Sequence, residues 1–542
     1  MGLFKDVKKP VIKPAPTGAG EISPLRPLFV AKSPPCASKC PNGNQIRDLL
    51  VMIAQAKDYG LSTEQAFEKA WTRIAERNPL PAVAGRVCPH PCEEACNRKV
   101  KDGAVAFNTI ERMLGDFGIA RKLALPRIES EPRTEKVAVV GAGPAGLSCA
   151  YQLIRRGYRV TMFDSFPRPG GMLRYGIPEA RLERAVLDAE IDRVIELGIE
   201  LHCNCQVGKD ISFEQLRHDY DAVFAGTGAW QAVPLNVPGE DAANVIGALD
   251  FLRRFNGQDE IKVGKKAVII GAGPTSIDVA RSSQKLGAEV TIIGAEITAP
   301  EAGIDALRKE GVRVEAPAVP VAILTENGRA QRVRCARLTT PADSPNGSKS
   351  SPQSEFHLEA SIVIVATNRE PDLRGFKSMC NGNGWFRTDD WGRAEGGVFA
   401  GGDNTGLNSV TNAIAQGRRA AETMDRQFRG LEPEKPESLP VITTEKIKLE
   451  WYQPAPRQLE AVANAWHFNN GHDAECAEAI ANEAKRCMSC GMCMDCETCW
   501  MYCSNNCFVR LPKGEHCRIK LEVCNGCKKC AEACPTGYIE LI

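Results

Sequence analysis

KVAVVGAGPAGL, residues Lys136 to Leu147, is the stretch that decides the fold. Lys136 to Val140 reads as a short apolar strand and Leu147 to Arg156 as a helix, with a G-x-G-x-x-G turn between them. Gly141 permits the tight bend, Gly143 lets a pyrophosphate approach the backbone, and Gly146 lets helix and strand pack closely. Pro144 and Ala145 complete the turn, so the phosphates meet a helix N-terminus. The next strand, Tyr158 to Phe163, ends in Asp164, at the spacing where an acid holds ribose hydroxyls. A second copy follows: Lys266 to Ile270, then Gly271, Gly273, Pro274, Thr275 and Ser276, then the helix Ile277 to Leu286. Ser276 replaces the third glycine and is still small. The strand after it, Glu289 to Ile293, runs into Gly294-Ala295-Glu296. Glu296 would repel a 2′-phosphate and no arginine stands beside it, so this site is expected to prefer NAD(H) over NADP(H).

Outward from these turns, residues 135 to 430 alternate Val/Ile runs with helical stretches, the pattern of a doubly wound parallel sheet and an α/β fold class. A polar, low-complexity loop at 341 to 355 separates two expected strands, Arg332 to Leu338 and Ser361 to Ala366. The segment Val398 to Ala421 reads as a strand ending in Gly401-Gly402-Asp403 and a helix starting near Ser409. It resembles the second flavin motif of flavoproteins with two dinucleotide domains, in which the aspartate binds the ribityl chain. Ala222 to Gly228 and Ile362 to Asn368 match the crossover strands of those proteins. Two interleaved Rossmann-type domains are therefore expected, for FAD at 131–250 and 370–430 and for NAD at 251–369. The FAD contacts on this reading are Gly141, Gly143, Pro144, Ala145, Gly146, Asp164, Gly171, Gly228, Gly402, Asp403 and Ala413. Those for NAD are Gly271, Gly273, Pro274, Thr275, Ser276 and Glu296.

Composition sharpens the picture. In 542 residues, Lys+Arg 68 nearly balance Asp+Glu 67, which excludes a polyanion-binding protein; no nucleic acid partner is expected. Residues 1 to 16 are basic without an apolar core, so no secretory signal is read there. No run reads as a membrane span, and a cytoplasmic setting is expected. The 23 cysteines are clustered, five at 36–96 and thirteen at 476–542, which points to metal or redox centres rather than a disulfide framework.

In the tail, Cys493, Cys496, Cys499 and Cys503 form a C-x2-C-x2-C-x3-C run, and Cys524, Cys527, Cys530 and Cys534 another, followed by Pro535. Three close thiolates hold one face of a cubane and the fourth ligates the other cluster. One 4Fe-4S centre is thus assigned to Cys493, Cys496, Cys499 and Cys534, and the other to Cys524, Cys527, Cys530 and Cys503. Cys487 and Cys490 offer a competing register, which lacks the x3 spacing. At the other end, Cys36, Cys40, Cys88, Cys92 and Cys96 bracket a helical hairpin spanning Ile46 to Arg77, and four of these five are expected to hold a third cluster. Residues 1–35 read as an extended arm, 36–130 as a helical iron–sulfur domain, 431–486 as a linker with a helix from about Gln458 to Arg486, and 487–542 as a two-cluster ferredoxin-like domain.

Residues 36 to 430 resemble the glutamate synthase small-subunit family, a module also found in dihydropyrimidine dehydrogenase. The matching stretches are SPPCASKCPNG (33–43), GRVCPHPCEEACNR (85–98), AFNTIERMLGDFG (106–118), VGAGPAGL (140–147), PGGMLRYGIPEARL (169–182) and VFAGGDNTG (398–406). The tail RCMSCGMCMDCETCWMYC (486–503) is most similar to ferredoxin-extended members, such as the NAD(P)H:acceptor oxidoreductase associated with dissimilatory sulfite reductase. The resemblance implies an electron-transfer flavoprotein with FAD, NADH and three clusters. Hydride passes directly between cofactors, so no catalytic acid or base is named. Its partner is implied to be a sulfite reductase, a 2-oxoacid:ferredoxin oxidoreductase or a ferredoxin, within a homodimer or larger complex. The alternative is an NADPH-dependent glutamate synthase small subunit feeding an amidotransferase. Members with two N-terminal clusters carry a further C-x2-C upstream of the position of Cys36, which this chain lacks, so one cluster is expected there. Glu111 is implied to lie beside that cluster without ligating it. NADP-type members carry Arg-Arg where this chain has Ala295-Glu296.

Overall fold

The computed structural model describes residues 23–542 except 130, 339–351, 373, 377–378, 381–383, 435–438, 458–473 and 513. Two five-stranded sheets form its centre, and every pairing within them is parallel. In the first, the spatial order is Val398–Ala400, Ala222–Ala225, Lys136–Val140, Arg159–Phe163, Glu200–His202. In the second it is Arg313–Glu315, Glu289–Ile297, Lys266–Ala272, Ile362–Val365, Val245–Gly247. Central strands of such sheets are covered on both faces, so they read as continuous apolar runs rather than alternating ones; VAVV, AVFA and IVI are all buried. The second sheet is inserted in the first, as the two glycine turns implied.

Three details depart from the linear reading. The edge strand Val245–Gly247 pairs with Ile362–Val365, so the second sheet begins before residue 250. Three residues between loops leave no periodicity to read. An antiparallel sheet of Ala318–Glu326, Arg329–Leu338 and Pro352–Glu359 covers the second domain, and its third strand starts inside the segment read as a loop; the rest of that segment lies outside the described residues. Finally, Gln231–Ala232 pairs with Arg369–Glu370 where the chain crosses between the two domains.

The N-terminal domain is helical. Ile46–Ala54 and Thr63–Ala75 form the expected hairpin. Ser62 starts the second helix with a capping box: its hydroxyl accepts from Gln65 N at 3.2 Å while Gln65 Oε1 accepts from Ser62 N at 2.9 Å. Both helices pack Ile46, Leu50, Ile53, Phe67 and Ile74 against Phe107–Ala120. The same core takes in Cys476, Ile480 and Ala484 from helix Ala474–Lys485, so the tail is docked on the N-terminal domain. The segment 458–473, read as the start of that helix, lies outside the described residues. Pro27–Phe29 pairs antiparallel with Ile539–Leu541, which turns part of the expected extended arm into a strand clasping the C-terminus. Among the described residues no helix is long and apolar enough to cross a membrane.

Candidate functional site

The first glycine turn is built by close approach. Gly141 has φ +100°, and a Cβ there would sit 2.3 Å from Gly226 O. Gly146 leaves no room for a side chain, since its Cβ would lie 1.9 Å from Gly141 O. A Cβ at Gly143, by contrast, would meet only Gly171 Cα, at 3.8 Å. That open cradle at the N-terminus of helix Pro144–Ile154 fits a pyrophosphate. Asp164, buried, accepts from Ala142 N (2.6 Å) and Phe166 N (2.8 Å), one on each oxygen. Burial pushes its carboxyl up, and the two N–H groups oppose that. Each oxygen keeps a second lone-pair site for a ribose hydroxyl.

The second turn repeats the design with one change. Gly273 again opens helix Pro274–Lys285, with only Thr298 Oγ1 near an added Cβ, at 3.3 Å. Ser276 is buried and donates to Gly271 O at 2.6 Å, tying turn to helix where the first turn relies on bare glycine. Glu296 stands exposed on Glu289–Ile297, a strand that runs past its expected end. Arg181, from the PGGMLRYGIPEARL stretch, donates to Asp278 Oδ2 at 2.7 Å and joins the two dinucleotide folds.

Asp403 follows strand Val398–Ala400, and Gly402, with φ +88°, makes the turn. Its Oδ2 accepts from Arg369 Nη2 at 2.9 Å. Burial raises the Asp403 carboxyl, and Arg369 holds it back. Sequence reading missed Arg369; its position at the crossover is a consequence of topology. Ser409 caps helix Val410–Phe428, which carries Ala413 and packs on helix Pro144–Ile154 so closely that a Cβ at Gly417 would lie 2.0 Å from Ala145 O. The same helix reaches the N-terminal thiols: Thr411 Oγ1 lies 3.2 Å from Cys88 Sγ, and Arg418 donates to Asn42 O at 3.1 Å. Gly171 and Gly228 both adopt positive φ, beside Gly143 and Trp230 respectively.

The five N-terminal cysteines do not form one group. Cys40, Cys88 and Cys92 surround Glu111: burial followed by the Glu111 charge pushes Cys88 up to about 11 and also raises Cys92, while the same carboxylate adds to the burial that raises Cys40. Glu111 is wholly enclosed, and burial lifts its carboxyl to about 8. Asn44 and Asn78 both donate to its Oε1, at 3.2 Å each, leaving Oε2 without a hydrogen bond. Cys36 and Cys96 face the other way, toward Cys487 and Cys490. Burial and then the Cys487, Cys96 and Cys490 thiols raise Cys36, with Cys92 contributing least. Cys36, Cys92 and Cys96 line one pocket with Cys487 and Cys490, while Cys40, Cys88 and Cys92 lie near Glu111, so Cys92 stands between the two sets. Helices Pro35–Lys39 and Pro91–Glu94 lie against each other; Cys36 and Cys92 are on them, and Cys40 and Cys96 follow their C-terminal ends.

In the tail the structure brings together the cysteines that spacing assigned. Burial lifts Cys493 to about 12, with Asp495 and Cys496 adding to it; Cys496 in turn feels Cys534. Cys503, Cys524, Cys527 and Cys530 line one pocket. Burial and then Cys527, Cys503 and Cys524 push Cys530 up to about 11. Cys507 and Cys517 stand next to these groups, beside Cys503 and Cys499. Among the described residues, one set of three metal-ligating atoms closes to within 4.8 Å mutually: Cys493, Asp495 and His516. No group of thiols closes that far, so none has the compact tetrahedron that a Zn–S bond of about 2.3 Å demands. Thiols kept protonated chiefly by burial, with thiol neighbours adding to it, are a donor set that an iron–sulfur centre would take as thiolates.

A family model described as "Pyridine nucleotide-disulphide oxidoreductase" matches residues 135–417, more than half of the 542. The chain belongs to this family. A second model, dihydropyrimidine dehydrogenase domain II with its 4Fe-4S cluster, matches residues 27–123 of the oxidoreductase. It is 36% identical to NADPH-Fe(3+) oxidoreductase subunit beta of Geobacter sulfurreducens, over 62% of this chain and 51% of that one. It is 33% identical to NADP(+)-dependent formate dehydrogenase subunit beta of Moorella thermoacetica, over 76% and 62%. To the glutamate synthase [NADPH] small chain of Halomonas elongata it is 30% identical, over 77% of this chain and 96% of that one. The chain spans half to just under two thirds of the first two relatives. It thus belongs with the pyridine nucleotide oxidoreductases, carries an iron–sulfur domain, and is similar to proteins named as subunits or small chains of larger enzymes.

Proposed function

We propose that this oxidoreductase moves electrons between NADH, bound at the Gly271 to Ser276 turn, and a redox protein such as a ferredoxin, a sulfite reductase or a 2-oxoacid:ferredoxin oxidoreductase docking at the ferredoxin-like tail. A bound flavin supplies the exchange between hydride and single electrons, and iron–sulfur centres supply one-electron carriage. The observation that carries this reading is a series of thiol groups. It starts at Cys88, which touches Thr411 on the helix that opens beside Asp403, and ends at the pocket of Cys524, Cys527 and Cys530. Cys40, Cys88 and Cys92 with Glu111 offer one set of ligands, in which the unbonded Glu111 Oε2 is the fourth. Gly143 and Gly171 admit the FAD pyrophosphate, Asp164 holds the adenosine ribose, and Asp403, oriented by Arg369, meets the ribityl chain. The exposed rim beyond the last thiol pocket, with Leu521, Val523 and Lys528, is where a partner would dock.

Cys527→Ser tests the route. NADH should still bleach the flavin, while reduction of an added bacterial ferredoxin falls by two orders of magnitude or more; undiminished ferredoxin reduction would refute exit through the tail. The nucleotide preference has its own test. Glu296→Arg gives a 2′-phosphate a cation in place of an anion, so the NADPH/NADH ratio of kcat/KM should rise at least tenfold, roughly 1.4 kcal/mol. An unmoved ratio would mean that the phosphate end is read elsewhere.

A further inference from the structure

Cys487 and Cys490 belong to neither ferredoxin run, yet they are fixed in place more firmly than a spare C-x2-C needs. They follow helix Ala474–Lys485, and the turn carrying them is pinned to the N-terminal domain at several points. Arg98 Nη1 donates to Arg486 O at 2.5 Å, Ala106 N to Glu483 Oε1 at 2.8 Å, and Arg47 Nε to Ser489 Oγ at 2.8 Å. Arg47 also donates to Cys493 O. The result is one pocket whose wall carries Cys36, Cys96, Cys487 and Cys490, with Leu50 and Phe107 as apolar lining. Cys92 also touches this pocket, but its strongest charged neighbours after burial are Glu111 and Cys40. The thiols of Cys487 and Cys490 instead feel Cys96.

Three observations say what the pocket takes. All four cysteines are free thiols. No three of them close to single-ion distances, which excludes a zinc tetrahedron. Ser489 N donates to Cys487 Sγ at 3.4 Å, the kind of amide contact that tunes a cluster thiolate. We infer that Cys36, Cys96, Cys487 and Cys490 together hold a further 4Fe-4S cluster, two of whose ligands are delivered by the tail across some 400 residues of chain. The inference rests on the reading that the other thiol groups of this chain hold such clusters.

This site occupies the gap in the series. On one side it shares helices Pro35–Lys39 and Pro91–Glu94, with the residues that follow them, with the Glu111 group. On the other, Tyr452 is buried between Cys487 and Cys490 and the Cys496 and Cys534 thiols, and its hydroxyl donates to Met488 O at 2.7 Å. An N-terminal domain without the tail would own only half of the site. The tail is therefore part of the N-terminal metal domain and not an appended module.

Iron, acid-labile sulfide and FAD measured on anaerobically purified full-length protein test this. Four clusters predict about 16 Fe per FAD, and the Cys487→Ser/Cys490→Ser double variant about 12, at unchanged FAD content. One component of the reduced EPR spectrum should vanish with it. Cys36→Ser/Cys96→Ser should remove that same component from the far end of the chain, even if the tail variant undocks. About 12 Fe in both wild type and the tail variant, or one equivalent of zinc lost with Cys487 and Cys490, would overturn the fourth site and leave the three other clusters standing. Wild-type protein with about four Fe would instead overturn the tail clusters, and this inference with them.

Discussion

Gly146→Ala is expected to yield protein with less than a tenth of an equivalent of FAD and a melting temperature lowered by several degrees. The added Cβ would lie 1.9 Å from Gly141 O and 3.2 Å from Val139 Cγ1. Backbone oxygen cannot rotate away, so helix Pro144–Ile154 has to lift off strand Lys136–Val140. Overpacking of this kind costs about 1–3 kcal/mol, and it falls on the helix N-terminus that meets the pyrophosphate. The helix is also wedged from behind, because Gly417 leaves no slack against Ala145 O. Ser276 at the corresponding place in the second turn makes the contrast: a side chain is accommodated there and bonds to Gly271 O. Ser276→Gly should cost far less, and NADH binding should survive it. Flavin released on denaturation, read by absorbance, and a calorimetric melt decide the matter; stoichiometric FAD at an unchanged melting temperature in Gly146→Ala would contradict the geometry.

How much of this was legible in the sequence follows from the range of each interaction. The glycine turns were legible because strand, bend and helix lie within twelve residues, although the atom that bars a side chain at Gly141 belongs to distant Gly226. The ferredoxin runs stand out in the sequence for the same reason, since their three leading thiols are three residues apart. The grouping of the N-terminal thiols was not legible. Cys36 lies on helix Pro35–Lys39 and Cys40 just after it, but which side chains each meets depends on how helix Pro91–Glu94 packs and on where Ala474–Lys485 docks. The chain lacks the upstream C-x2-C, and only the docked tail brings Cys487 and Cys490 into one pocket with Cys36 and Cys96. Arg369 escaped for the same reason: its partner Asp403 is 34 residues away and meets it only through the domain crossover. Glu111 was placed beside the thiols by resemblance; its full burial, with one oxygen left unbonded, became visible only with the helix packed.

Asp102→Ala is expected to undock the tail from the N-terminal domain. Asp102 accepts from Arg98 through both oxygens, Nε to Oδ1 at 2.7 Å and Nη2 to Oδ2 at 2.8 Å, and from Arg486 Nη2 at 3.2 Å. Ala455 N adds a fourth bond at 2.8 Å. Both arginines are buried, Arg98 at 2% and Arg486 at 3% exposure, so removing their shared carboxylate strands charge away from water. Breaking one partner of a buried pair costs about 3–5 kcal/mol, which Glu483, paired with Arg486 but not with Arg98, offsets only in part. Burial opposes ionisation of Asp102, but the Arg98 fork, the Ala455 N–H and Arg486 outweigh it and hold the carboxyl well below the usual range. A depressed carboxylate stabilises above its unfolded pKa, about 3.9, and that contribution fades as pH falls from there toward the folded value. Wild-type docking should therefore be constant at neutral pH and weaken below about pH 4, whereas Asp102→Asn should be weak throughout and lack that acid-side loss. Hydrogen exchange across 474–490 and limited proteolysis between 431 and 486 report the docking directly. Because Cys487 and Cys490 ride on this segment, the variant should also lose about four Fe; a tail that stays protected and fully metallated would show that the apolar contacts of Ile480 and Ala484 hold it without the ion network.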